Sequence, residues 1–322
     1  MSFSLGQLRK SILGSVSQNI TALSQGDSET THHLGKIVSI VVQGFHTALE
    51  DSRFEVLVPR LNAIEPEFRG FGYEGAGMGL LVLDSVFPWK KRLRAFLAGP
   101  GTPYIYPIYV GVGLALAKIG KQPEQYLSQL DPVVGWFLID GYAFRWAILS
   151  LGQPIQEQPI PEHLSSSAGH LFDQGFGRGI WFTTGASIDR IAATVAAFSP
   201  TRQADLWSGV GFACAYAGGV DRITIETLRK EANLYRPQLA RGAAVAAKAR
   251  QRSGNLAPHT NLACEVLCGL SSEMAAQVTD VALQNIPVDG VEPAYEIWRK
   301  RIEAQFAVLA ESEICSEPRF VR

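Results

Sequence analysis

Four ionisable side chains share a place in a recurring pattern and are the candidates for chemistry. Glu74 and Asp140 stand one residue before a glycine, Asp173 stands two before one, and His170 lies three residues ahead of Asp173. Spacing of i, i+3 on a helix puts His170 and Asp173 on one face. There they would serve as a general base and its partner, or as two ligands of a metal ion. Arg145 and Arg178 lie within a turn or two. Tyr73, Tyr109, Tyr142, Phe176 and Trp207 sit on the same segments. With Arg145 and Arg178 they are the candidate ligand-binding residues, since small-molecule sites are largely apolar with a few placed polar groups. The competing reading is structural: carboxylates and cations buried as pairs that hold the register of a helical stack. Neither a particular metal nor a cofactor follows from these residues.

The pattern that positions them is a repeat. Tyr73-Glu-Gly-Ala-Gly77 returns as Tyr109-Val-Gly-Val-Gly113, Ile139-Asp-Gly-Tyr-Ala143, Asp173-Gln-Gly-Phe-Gly177, Trp207-Ser-Gly-Val-Gly211 and Ala240-Arg-Gly-Ala-Ala244, with a fainter copy at Val42-Gln-Gly44. The first glycines, 44, 75, 111, 141, 175, 209 and 242, are 31, 36, 30, 34, 34 and 33 residues apart. A period of this size is that of stacked helix-turn-helix units. Glycine within a helix is unfavourable by roughly 1 kcal/mol relative to alanine. Small residues at two places per unit therefore imply inner helices that approach backbone to backbone. Between them, Ile188, Ile191, Val195 and Phe198 form the apolar stripe of an amphipathic outer helix.

These features predict an all-α protein of tandem helix-turn-helix repeats of about 30–36 residues, an open α-solenoid or a closed helical array, forming one domain over 1–322. Residues 1–30 are expected to cap it, 31–152 to form a first half, 153–162 a Pro/Gln-rich loop, 163–310 a second half and 311–322 a mobile tail. Helices are expected over 124–130 and, as one segment, 260–280. Gly75-x-Gly-x-Gly79 is not a dinucleotide fingerprint, because its spacing is wrong and no strand precedes it. His259, Cys264 and Cys268 offer three ligands where a structural zinc site needs four, so buried thiols are the plainer account.

Composition narrows the class further. The chain has 322 residues, 47% hydrophobic, with a net charge of -1. That supports a large core and argues against a nucleic-acid partner, which calls for a basic footprint. Four cysteines and a start without signal-peptide regions point to the cytoplasm. The uncharged stretch 95–117 is broken by Pro103, Pro107 and Gly99-Pro-Gly101, which argues against a transmembrane span.

Five blocks carry a resemblance: Glu67-Phe-Arg-Gly-Phe-Gly-Tyr-Glu-Gly-Ala-Gly-Met-Gly79, Phe96-Leu-Ala-Gly-Pro-Gly101, Leu138-Ile-Asp-Gly-Tyr-Ala-Phe144, Phe172-Asp-Gln-Gly-Phe-Gly-Arg-Gly-Ile-Trp-Phe182, and the segment Ala204 to Gly219. Over residues 36–250 the chain resembles an uncharacterised family encoded in enediyne polyketide biosynthetic gene clusters. The resemblance implies a part in making or handling a polyene-derived precursor and supplies no catalytic residues. The family often carries a histidine after the Asp-Gly-Tyr block, where this chain has Arg145. Two roles follow as expectations. One is an accessory protein that binds a hydrophobic acyl intermediate, or docks on the polyketide synthase or its carrier protein through the basic segment 222–252. The other is an enzyme acting on that intermediate through Glu74, Asp140, His170 and Asp173.

Overall fold

The computed structural model describes residues 28–149, 159–287 and 290–316, with side chains up to 309 in the last stretch. Residues 1–27 of the expected cap and most of the Pro/Gln-rich loop lie outside these residues, while Glu29 and Thr30 already belong to the first helix. The described residues form fourteen α-helices and no strand: α1 Glu29–Glu50, α2 Phe54–Asn62, α3 Pro66–Val86, α4 Arg92–Leu97, α5 Ile105–Ile119, α6 Phe137–Leu149, α7 Ser166–Thr183, α8 Ile188–Ala196, α9 Pro200–Ala217, α10 Arg222–Glu231, α11 Arg236–Arg252, α12 Pro258–Cys268, α13 Ser272–Leu283 and α14 Ala294–Ser316. The chain is all-α, as its pattern predicts. None of the described helices is long and apolar enough to cross a membrane.

The inner helices α1, α3, α5, α6, α7, α9 and α11 pack each on the next, and glycine sets their approach. A Cβ on Gly111 would lie 1.9 Å from the Glu74 carbonyl oxygen, one on Gly175 2.0 Å from that of Asp140, and one on Gly209 1.9 Å from that of Gln174. No side chain fits there. The second glycine of a unit makes the matching contact forwards, with Gly113 against the carbonyl of Leu138 and Gly177 against that of Leu206. Residues two apart on an α-helix are about 200° apart round its axis. A Gly-x-Gly pair therefore clears opposite faces, one for each neighbouring helix. The recurrence of this contact is compatible with tandem units.

The contacts move the first unit's register. Gly44 abuts the Gly72 carbonyl ahead of it, as a second glycine does, and Gly75 abuts the carbonyl of Val41. Val42, not Gly44, thus takes the first-glycine place, and the first interval becomes 33 residues.

Three other expectations change. Residues Pro123–Gln129 form 3-10 turns instead of an α-helix. The 260–280 segment is two helices. Gly269, at φ +67, ends α12 in the left-handed conformation that glycine adopts freely, and Ser271 caps α13 by accepting from the Met274 N–H. Finally, α14 continues to Ser316, beyond the expected start of the tail.

Segments far apart in the chain meet where α1 and α3 face the ends of α9 and α11. Thr30 Oγ1 donates to the Gly219 carbonyl at 2.7 Å, and His33 Nε2 lies 2.7 Å from that of Ala217. Arg250, 1% exposed, donates to the carbonyls of Glu67, Asn255 and Tyr216. A buried guanidinium with several donors answered by carbonyls is a strong clasp, because losing those acceptors would strand a charge. Burial and the Arg250 charge push His259 down to about 3. Nε2 of that neutral ring lies 3.2 Å from both the Arg250 guanidinium and the Tyr216 carbonyl.

Candidate functional site

The residue before each first glycine faces inward. Glu74, Asp140, Gln174, Ser208 and Arg241 are all 5% exposed or less. Asp140, Gln174, Ser208 and Arg241 join into a line across α6, α7, α9 and α11. Arg178, one turn beyond Gln174, donates from Nη1 to Asp140 Oδ1, and Gln174 Nε2 donates to Asp140 Oδ2 at 3.0 Å. Gln174 Oε1 accepts from Ser208 Oγ at 3.4 Å and from Tyr295 Oη, brought in by α14, at 3.2 Å. Ser208 Oγ accepts from Arg241 Nε at 3.1 Å. Arg241 then grips Asp205 at 2.8 Å and Glu303 at 2.5 Å.

One end of this line is under-satisfied. The Arg178 guanidinium stacks between the rings of Phe144 and Phe212, at 5.1 and 4.8 Å, and its Nε has no hydrogen-bond partner. Its electrostatic neighbour Glu74 makes no hydrogen bond among the described residues. Burial pushes the Glu74 carboxyl up to about 7; Arg178 draws it down, and Asp140 pushes it further up. Burial also pushes Asp140 up, opposed by Arg178 and Gln174. One guanidinium faces two carboxyls, so a proton shared by the pair leaves the group neutral.

Tyr216 completes the cluster. Its hydroxyl is buried and unpartnered, as is Oδ1 of nearby Asn255. Gly70, one turn before Glu74 on the same face of α3, makes room for that hydroxyl: a Cβ there would lie 2.3 Å from it. Phe71 and Phe212 wall the Tyr216 ring at 5.1 and 5.5 Å. A protonated Glu74, Arg178 Nε and a phenol are donors, and Asn255 Oδ1 is an acceptor. Such a set suits an oxygen function, a carbonyl or hydroxyl, carried on an apolar body.

The other candidate residues disperse. Asp173 lies about 100° round α7 from Gln174 and pairs with Arg202 at 2.5 Å, away from Glu74 and Asp140. Burial pushes Asp173 up to about 6, with Arg202 opposing. His170 does stand near Asp173, but its hydrogen bond, 2.6 Å from Nδ1, goes to Asp205 on α9. The expected His170–Asp173 dyad is thus replaced by a His170–Asp205 one. Tyr73 stacks on Tyr104 at 3.7 Å and donates to Asn62. Tyr109 Oη accepts from the Asp131 N–H, and Phe176 packs between Phe172 and Phe198. Tyr142 meets His163, Trp207 is buried in the core, and half-buried Arg145 has Lys118 as its electrostatic neighbour. Of the candidates, only Glu74, Asp140 and Arg178 converge.

Metal chemistry finds no ready donor set, since no group of three or more His, Cys, Asp or Glu among the described residues is placed to hold an ion. Cys264 and Cys268 point their thiols at the carbonyls of Ala243 and Ala240.

A family model described as a protein of unknown function, DUF1702, matches residues 4–306. The chain belongs to the DUF1702 family. That match takes in every inner helix and the part of α14 that carries Tyr295, Arg299 and Glu303. No curated protein and no solved structure matches the chain.

Sequence reasoning passed over several residues of this DUF1702 site. Gln174, Ser208 and Arg241 precede their glycines just as Glu74 and Asp140 do, and that register was signal enough. Asp205 stands four before its glycine, where other units have Phe71, Pro107, Phe137 and Leu171. A carboxylate at an apolar position was a second signal. Tyr216 and Tyr295 had none.

Proposed function

We propose that the chain is an accessory protein of enediyne-type polyketide biosynthesis that binds a hydrophobic, polyene-derived intermediate, with the oxygenated part of that molecule at Glu74, Arg178 and Tyr216. The observation that carries this reading is the set of buried polar atoms left unanswered there: Arg178 Nε, Tyr216 Oη and Asn255 Oδ1. Each such atom is unfavourable by about 1–3 kcal/mol unless something meets it. The five-block resemblance supplies the biosynthetic setting, and a cytoplasmic location belongs to the same reading. An acidic carrier protein is the partner that suits the groove of about 330 Å³ lined by Arg222, Glu226, Arg229, Lys230 and Arg236.

One observation favours an enzymatic reading as well. A carboxyl held near 7 can both give and take a proton at neutral pH, so Glu74 would act as the general acid or base on the bound intermediate. Native mass spectrometry of the protein purified from cells making the polyene addresses both. The expected result is an apolar adduct that Tyr216→Phe with Arg178→Met loses. A bare mass in wild type would sink the binding reading. If Glu74→Gln keeps the adduct but blocks its conversion to a product seen with wild type, the enzymatic reading prevails.

A further inference from the structure

Away from the central cluster, the start of α5, the turn at 131–134 and the ends of α11 and α13 line an open cavity of about 490 Å³, within the range of small-molecule sites. Its walls combine apolar side chains, among them Val133, Val134, Leu283 and Ile286, with four charges. Three of those charges are engaged. Asp131 Oδ1 accepts from the N–H groups of Val133 and Val134, both at 2.9 Å, and Lys248 pairs with Asp280 at 2.7 Å. Arg252 is the fourth, and no described residue forms an ion pair with it.

Tyr106, 3% exposed as a residue, lines the same cavity as Arg252. After burial, Arg252 has the largest effect on that phenol, and it favours the ionised form. A cation in the last turn of α11 is accounted for by the helix dipole alone. A phenol lining the same cavity gives that cation a companion donor.

We infer that this cavity is a second binding site, for a carboxylate on an apolar chain, with the carboxylate between Arg252 and Tyr106 and the chain along Val133, Leu283 and Ile286. A planar carboxylate takes two donors of a guanidinium and a third from a phenol, and such charge-assisted bonds are the strong ones. This site stands or falls independently of the central one.

Isothermal titration calorimetry of the whole chain with octanoate and with 1-octanol tests it. Octanoate should bind saturably at one per chain, and octanol at least about ten-fold more weakly. Arg252→Gln should reduce octanoate to the octanol level, and Tyr106→Phe should weaken it several-fold. Ile286→Trp, a half-buried position where added bulk fills the cavity without touching either donor, should weaken octanoate and octanol alike. Tyr216→Phe with Arg178→Met, the pair that empties the central cluster, should leave octanoate unchanged. Equal affinity for the two probes, or wild-type binding by Arg252→Gln, overturns the assignment. So does octanoate binding that the Tyr216→Phe, Arg178→Met pair abolishes, because the ligand would then sit at the central cluster. Circular dichroism of each variant checks that the fold is kept.

Discussion

Two buried ionic groups lie side by side in the interior, joined through Gln174 and Ser208, and differ in how many donors each carboxylate receives. Asp205 is met by the guanidiniums of both Arg241 and Arg299 and by His170 Nδ1. Burial opposes its ionisation, yet the His170 hydrogen bond and the two arginine charges hold its carboxyl well below the usual range. At the other end, Arg178 is the cation for both Glu74 and Asp140, Gln174 adds a donor to Asp140 only, and burial wins at Glu74. Depth is the same in both. The count of donors decides which group is a fixed ion network and which retains a proton and unanswered atoms.

The largest test of that contrast is Arg241→Met. It removes one of the three partners of Asp205 and the ion-pair partner of Glu303, and urea unfolding should show a loss of about 4 kcal/mol. Arg178→Met should cost somewhat less, about 3 kcal/mol, because Asp140 keeps its Gln174 bond and the two carboxyls can take up protons. Equal losses would mean that the two groups do not differ as described.

Glu74→Gln should stabilise the protein, and only at higher pH. The carboxyl titrates near 7 folded against its ordinary 4.5, so between those values only the folded chain keeps the proton. Its contribution is therefore most favourable at acid pH and is lost as pH rises from about 4.5 through about 7. The variant should gain about 2 kcal/mol over wild type at pH 8 and nothing near pH 4.5. Asp173, raised to about 6, acts in the same sense in both proteins. His259 acts oppositely: held at about 3 against an ordinary 6.5, it contributes stability above 6.5 that is lost as pH falls. Thermal midpoints from pH 4.5 to 8 should fall less with rising pH in the variant, and parallel curves would refute the placement of Glu74.

Tyr216→Phe is the smallest change. Its hydroxyl has no partner to lose and its removal ends an unanswered burial, so stability should rise by about 1 kcal/mol and not fall. Ser208→Ala is the control, since Ser208 joins the two groups through Arg241 and Gln174, and should cost about 1 kcal/mol. A Tyr216→Phe loss as large as that of Ser208→Ala would show that the phenol is structurally engaged.

Much of this was open to reading from the chain. The pairs His170–Asp205, Gln174–Asp140 and Arg241–Ser208 are 35, 34 and 33 residues apart, one repeat each. A register line drawn before each glycine therefore predicts who meets whom. The Asp173 placement erred because one residue is 100° on a helix, enough to turn a side chain from the centre toward Arg202.

The amino-acid sequence by itself determined the helices, their small-residue contact faces and which side chain of each unit turns inward, because these follow from a 3.6-residue period and from glycine's lack of a side chain. Only the tertiary structure decided that α1 reaches Ala217 and Gly219, that Arg250 clasps Glu67, that Tyr295 enters from α14 and that Tyr216 settles at Gly70. Those contacts, up to 189 residues apart, depend on small rotations summed over many units, and no local period encodes that sum.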